Sequence, residues 1–350
     1  MVDLVFKATN NDDVLGTTAK LRVSLDNDGN INGSYNYPQV YTSWQYLFSI
    51  LREKINDENY YMGDDCIKIE QNNDEAIAYF ENGKKKSSDL IIIANGIKSD
   101  LRSYVDKSAH PQYAEYVGWR GVVNEEEISS KSLETLSNYF IIVLPHNQQI
   151  ACYPIAGEGE NPFEIGKRRI NWIWYKPIPT KLLKELLLGK SGQQYEDGIP
   201  PNEIRQEVIS DLFKEAENNL PPQLVELVKS TQQPLIQPIF DLQSMKMHNG
   251  RVVTIGDAAF TARPHVGMGV TKAAMDAFKL SEYLGDNFNL DKLSKWEHSR
   301  LKESQFIVNR SRKLGNYLSL PKENENLIMP NIQNVLKDTA ISLYDIEDYQ

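Results

Sequence analysis

The residues best suited to chemistry lie where a strand gives way to a helix, in residues 251–277, RVVTIGDAAFTARPHVGMGVTKAAMDA. The run Val252, Val253, Thr254, Ile255 is apolar and bounded by charge and glycine, which predicts a short buried strand. Gly256 and Asp257 follow at its end. A loop comes next with Pro264, His265, Gly267, Met268 and Gly269. Val270, Ala273, Ala274, Ala277, Phe278, Leu280 and Leu284 then recur at helical spacing. Ligands of open α/β sheets bind at the carboxyl ends of strands, where this loop sits. The Asp257 carboxylate can accept hydrogen bonds from sugar-type hydroxyls. Gly267 and Gly269 remove side chains, so a flat ring can approach the backbone. The amides that open the next helix favour electron-rich atoms. His265 titrates in the range needed for acid–base work near neutrality. The same residues also read more simply, as a tight strand-to-helix turn with a capping aspartate.

Further candidates lie upstream. Residues 89–94 form an almost wholly apolar run, which predicts a strand buried on both faces. It leads into Asn95 and Gly96, then Ile97, Lys98, Ser99, Asp100, Leu101 and Arg102. Residues 113–176 read as a series of strands with aromatic and β-branched residues on alternate positions, a pattern that suits a sheet facing a cavity. Trp119, Arg120, Tyr153 and Trp174 are the candidate substrate contacts there, with Arg120 able to pair with an anion.

Taken together these stretches resemble the single-component FAD-dependent aromatic hydroxylases, the p-hydroxybenzoate hydroxylase class. Residues 251–277 resemble that family's Gly-Asp motif. The segment Asn95-Gly96 with Ser99 and Arg102 resembles its second fingerprint, an Asp-Gly followed by Ser and Arg. Within the class the chain is most similar to the 2,6-dihydroxypyridine hydroxylase group. There Gly-Asp-Ala-Ala also leads into Arg-Pro-His, and the strands Tyr-Val-x-Trp-Arg-Gly, Tyr-Pro-Ile and Asn-Trp-Ile-Trp-Tyr match residues 116–121, 153–155 and 171–175. The resemblance implies that Gly256, Asp257, Pro264, Gly267, Met268, Gly269, Asn95 and Gly96 lie against FAD. It implies NAD(P)H as electron donor and oxygen as co-substrate, with hydroxylation of an electron-rich hydroxylated aromatic or pyridine ring. Three positions depart from the wider class. Phe260 stands where many members have His, Trp44 where a helix carries an Arg, and Asn95 where the fingerprint has Asp. Asn keeps hydrogen bonding but loses the charge.

The elements that must position these residues follow from the rest of the chain. Residues 2–40 read as short strands with turns at Asp28-Gly29 and Asn32-Gly33. Residues 41–55 predict a core-packed amphipathic helix capped by Thr42 or Ser43, with a stripe of Leu47, Ile50, Leu51 and Ile55. Residues 66–93 read as a meander turning at Asn82-Gly83. Residues 180–229 are mostly helical, and a long helix from Leu290 to about Leu318 carries Trp296 and Phe306. After Pro321 the tail is polar and acidic, with Ile328, Ile332, Val335 and Leu336 as docking points.

At 350 residues the chain can bury a large core in two lobes. A net charge of −10 argues against nucleic acid or an anionic membrane as partner. No apolar run approaches a membrane span, and the first residues do not form a signal peptide. Two cysteines, Cys66 and Cys152, suit a reducing cytoplasm. The five histidines show no metal-ligand spacing, so no metal is expected.

The fold expectation is therefore α/β (α+β). It comprises a discontinuous p-hydroxybenzoate-hydroxylase-like FAD-binding lobe at 1–107 and 245–318, an inserted β-sheet substrate lobe at 108–244, and a tail at 319–350. The expected first βαβ unit, with Gly-x-Gly-x-x-Gly on a helix start, is lacking; Gly157 and Gly159 have no third glycine. The FAD-binding lobe is thus expected to be N-terminally incomplete, which leaves an uncovered sheet edge and weakens the hold on a pyrophosphate. A longer natural protein or another chain would supply the unit; a homodimer is the other expected partner. The alternative function is a non-catalytic paralogue or fragment that binds a small molecule or a partner.

Overall fold

The computed structural model describes residues 5, 15–159, 161–285, 289–318 and 328–346. The largest of its sheets has eight strands in the order Phe260–Thr261, Leu235–Gln243, Gln112–Asn124, Arg169–Pro177, Gln149–Ile155, Tyr139–Val143, Leu21–Leu25 and Ile31–Tyr35. Neighbours are antiparallel except Tyr139–Val143, which runs parallel to Leu21–Leu25.

The pleat sorts this sheet's residues onto two faces. Val117, Trp119, Val123, Trp172, Trp174, Ile150 and Cys152 point to one side and form the main core with Leu212, Leu224 and Leu227 of the covering helices Gln206–Asn219 and Pro222–Lys229. Trp172 donates its indole N–H to Thr231 Oγ1 at 2.8 Å. Opposite Trp172 in the register stands Gly121, where a Cβ would lie 2.4 Å from the indole nitrogen. A glycine here makes room for the largest side chain of the core.

The other face carries Tyr116, Ile173, Tyr175, Ala151, Phe140 and Ile142. Part of it is covered by the helix Ile332–Asp338, through Val335 and Leu336. Arg22, fully buried, holds that helix by its carboxyl end. It donates to Leu336 O at 3.0 Å, to Thr339 O, to Ala340 O at 2.8 Å and to Gln39 Oε1 at 2.8 Å. A cation on terminal helix carbonyls is well placed for the helix dipole. Of the expected docking residues, Val335 and Leu336 are buried and Ile332 is half-buried, whereas Ile328 is exposed. Residues 319–327 of the expected tail lie outside the described residues.

A second sheet joins His248–Asn249, Val252–Thr254 and Ile91–Ile93. The meander Cys66–Gln71, Ala76–Phe80 and Lys85–Ser88 forms a third. Two expectations about packing are corrected here. The helix forms as Trp44–Arg52 with Ser43 Oγ accepting the Tyr46 N–H at 3.1 Å, but none of its residues is buried, and Trp44 is 73% exposed. Ile91–Ile93 is covered on one face only: Ile93 is buried and Ile92 is 47% exposed. Ile92 sits on the outer strand of this sheet, and its register partner Val253 on the same face is buried with Leu280, Leu293 and Trp296.

Candidate functional site

The strands Ile91–Ile93 and Val252–Thr254 pair in parallel, with Val252 opposite Ile91 and Thr254 opposite Ile93. Their carboxyl ends are therefore side by side, which brings Asn95–Gly96 next to Gly256–Asp257. The Ile255 N–H donates to Ile93 O at 3.0 Å. Arg102, buried beneath both turns, donates through Nε to Ala258 O at 2.6 Å and through Nη2 to Ile97 O. The arginine of the fingerprint thus joins one loop to the other. Gly96 and Gly256 both have left-handed φ, +84° and +60°, a conformation glycine adopts without a Cβ penalty.

Asp257 is exposed to solvent yet crowded by neighbouring protein. That crowding raises its carboxyl pKa above the ordinary value; the Lys272 ammonium opposes the rise and the Asp276 carboxylate adds to it.

The following loop is fixed at both ends. Arg263 Nε pairs with Asp241 Oδ2 at 2.8 Å, and Arg312 holds the other oxygen of that buried carboxylate at 2.6 Å. Pro264 opens a single 3-10 turn that ends at Gly267, with φ +63°. A Cβ on Gly267 would lie 2.4 Å from Ala340 Cβ, so this glycine is required by the C-terminal segment. A Cβ on Gly269 would meet nothing within 4 Å, so Gly269 faces open space at the start of the helix Gly269–Leu284. Met268 is buried with Val266, Ile307 and Ile341.

His265 is enclosed. Its Nε2 lies 2.9 Å from Tyr116 Oη, and the Tyr175 ring sits 4.4 Å away, centroid to centroid. Burial, with the Arg263 charge nearby, pushes its pKa down to about 3, so the ring is neutral near pH 7 and shares one hydrogen bond with the Tyr116 hydroxyl.

The four candidate substrate contacts fall on opposite faces of the large sheet. Trp119 and Trp174 are directly paired across Gln112–Asn124 and Arg169–Pro177, and both are buried in the helix-covered core. They cannot reach a ligand on the other side; period-two alternation separates Trp119 from Arg120. Arg120 and Tyr153 share the second face. Burial raises the phenol pKa of Tyr153 and Tyr175, and the Arg120 charge opposes it in both. Arg120 has no hydrogen-bond or ion-pair partner among the described residues, and its Nε is buried. Tyr41 stacks on Tyr153 with centroids 4.4 Å apart and extends the aromatic wall.

The residues present suit the polyol and ring end of a flavin dinucleotide: an open carboxylate, two glycine backbones with free space beside them, and a helix N-terminus. No Gly-x-Gly-x-x-Gly turn exists for the pyrophosphate end. Several contributors escape sequence reading. Lys272, Asp276 and Arg300 are charged residues on helices yet fully buried, and the C-terminal segment closes on the loop from 70 residues away. The only sequence signal for the former was a Lys and an Asp four apart, which usually marks a solvated helix face.

The fold is that of the p-hydroxybenzoate-hydroxylase-like FAD-dependent hydroxylases, and the sequence is similar to theirs. Residues 200–311 match the FAD binding domain family, and residues 113–241 match an FAD binding domain-like family. The chain is 27% identical over 282 residues to the 2,6-dihydroxypyridine 3-monooxygenase of Paenarthrobacter nicotinovorans, covering 79% of this chain and 69% of that protein. It is 26% identical over 237 residues to the salicylate hydroxylase of Pseudomonas putida, covering 63% of this chain and 48% of that one. The chain thus spans about half to two-thirds of these relatives' lengths. Among solved structures it is similar to 2,6-dihydroxypyridine-3-hydroxylase from Arthrobacter nicotinovorans, with a TM-score of 0.83 and 24% identity, covering 95% of this chain and 87% of that one.

Proposed function

We propose that this chain carries the ring-facing part of an FAD-dependent monooxygenase that hydroxylates a small, electron-rich hydroxylated aromatic or pyridine ring with NAD(P)H and oxygen. The observation that carries the reading is the open Asp257 carboxylate at the carboxyl ends of two parallel strands, beside the unobstructed Gly269 backbone. The relatives' own activities support it.

Asp257 would accept hydrogen bonds from the cofactor's polyol hydroxyls, and the amides around Gly269 would face the electron-rich edge of its ring. FAD, once bound, would supply the oxygen chemistry and draw its electrons from NAD(P)H. Arg120 would hold an anionic oxygen of the substrate, because its charge has no partner among the described residues. A deprotonated ring hydroxyl is more electron-rich, so such binding would favour hydroxylation. The aromatic wall of Tyr41, Tyr153 and Tyr175 would exclude water from a flat substrate.

The proposed division follows the same lines. A discontinuous lobe at 1–107 and 245–318 would hold the cofactor, and 108–244 the substrate, with Leu21–Leu25 and Ile31–Tyr35 lending two strands to the substrate sheet. Free Cys66 and Cys152 support a cytoplasmic setting. No helix among the described residues is long and apolar enough to cross a membrane.

The test is the visible spectrum of the purified chain after FAD addition and desalting, with Asp257→Ala beside it. A retained flavin spectrum that Asp257→Ala abolishes supports the reading. A chain that stays colourless removes it for this chain alone and favours a small-molecule- or partner-binding module. The neutral Asn95, in place of the fingerprint's carboxylate, is the observation in favour of that second reading.

A further inference from the structure

The helix Gly269–Leu284 buries a lysine and an aspartate one turn apart, and both side chains are wholly inaccessible. Asp276 Oδ2 accepts the Gly256 N–H at 3.0 Å. Lys272 Nζ donates to the Gly256 carbonyl at 3.0 Å and lies 3.3 Å from Asp276 Oδ2. Asp276 Oδ1 is held by Arg300 Nε at 2.8 Å, and Arg300 Nη1 pairs with Glu303 at 2.7 Å. Trp296 Nε1 donates to the Asp276 carbonyl at 3.2 Å. Two cations and two anions balance, so the cluster adds no net charge.

Both backbone polar groups of one glycine are therefore taken by two oppositely charged side chains of one helix. With N–H and C=O fixed, the peptides on either side of Gly256 are held at its left-handed φ, and the next residue is Asp257. Stability alone does not explain the arrangement, because apolar residues of similar volume often stabilise a core as well as a buried ion pair does. Apolar side chains could not supply one acceptor and one donor to the same residue.

We propose that Lys272 and Asp276 are positioning residues that lock the Gly256 backbone and thereby aim the Asp257 carboxylate at its ligand. The proposal rests on the reading of Asp257 as a cofactor contact. It differs from a purely structural ion pair by coupling to Asp257 itself.

The experiment uses the full chain, with Lys272→Met, Asp276→Asn, the double variant Lys272→Met/Asp276→Leu, and Asp257→Ala. Two quantities are read: the FAD dissociation constant from flavin fluorescence, and the titration of Asp257 by NMR of chain labelled with 13C-aspartate. Lys272→Met is expected to move the Asp257 midpoint up and Asp276→Asn to move it down, since the first removes a nearby cation and the second an anion. The double variant is expected to weaken FAD binding by about tenfold or more, as for loss of a hydrogen bond to a charged group. It leaves Arg300 and Glu303 balanced, so it decides the matter where a single variant fails to fold. A folded double variant that binds FAD as the parent does overturns the proposal, as does an Asp257 midpoint unmoved in both single variants. Unchanged FAD affinity in Asp257→Ala would instead remove the cofactor reading of Asp257. The NMR titration would then decide the coupling alone, as it would if the parent takes up no FAD.

Discussion

Gly267 offers a decisive perturbation, because its sequence context suggests a ligand and its structural context names a protein neighbour. Gly267 has φ +63°, and a Cβ there would lie 2.4 Å from Ala340 Cβ and 2.8 Å from Ala340 Cα. Ordinary carbon contacts are about 3.5–4 Å. Gly267→Ala therefore combines left-handed strain of about 1–2 kcal/mol with overpacking of about 1–3 kcal/mol. A destabilisation of about 3 kcal/mol is expected. Ala340 is itself left-handed, at φ 51°, and its N–H donates to His265 O at 2.9 Å. Ala340→Gly should relieve its own strain and remove the nearer of the two contacts, while Ala340 Cα stays 2.8 Å from the new methyl. The double variant should thus recover part of the overpacking and retain the strain at 267. Denaturant unfolding of the four proteins gives the coupling energy, expected at about 1–3 kcal/mol. Limited proteolysis should show the 328–346 segment cut sooner in Gly267→Ala alone. A coupling below about 0.5 kcal/mol would refute the packing account. Loss of FAD binding in a fully restabilised double variant would return Gly267 to the ligand.

Three further outcomes follow from the same geometry. His265 has a folded pKa of about 3 against about 6.5 in an unfolded chain. The unfolded state binds the extra proton between those values, so this contribution is complete above pH 6.5 and is lost as pH falls. Unfolding free energy should drop by about 1.4 kcal/mol per unit below pH 6.5, a slope that His265→Gln should lack when both are measured by denaturant titration. On the sheet, Trp174→Ala should cost about 3–5 kcal/mol in unfolding free energy because it empties the core. Arg120→Gln should stay within about 0.5 kcal/mol of the parent yet weaken salicylate, used as an anionic probe in calorimetry, by about tenfold. Equal salicylate affinity in Arg120→Gln would remove Arg120 from the substrate site.

Local residue order determined much of this protein. The run 252–255 bounded by charge and glycine specifies a strand, Asn82-Gly83 between two alternating stretches a turn, and Ser43 before a helical stripe a helix start. The two motifs at 95–102 and 251–277 were legible too, because each is contiguous and its glycines answer to left-handed turns. Tertiary structure alone decided which faces were covered. The stripe at 44–52 and the isoleucines at 91–93 have the pattern of core, yet the pattern cannot say whether another element lies over it. Trp119 and Arg120 are neighbours in the chain, but the pleat sends one into the core and the other to the opposite face of the sheet. Lys272 and Asp276 read as a solvated pair until the Gly256 backbone and Arg300 close around them. Gly267 meets Ala340 from 73 positions away. Sequence fixes local conformation through steric and hydrogen-bond rules that act over a few residues, whereas burial and partnership depend on what packs from far along the chain.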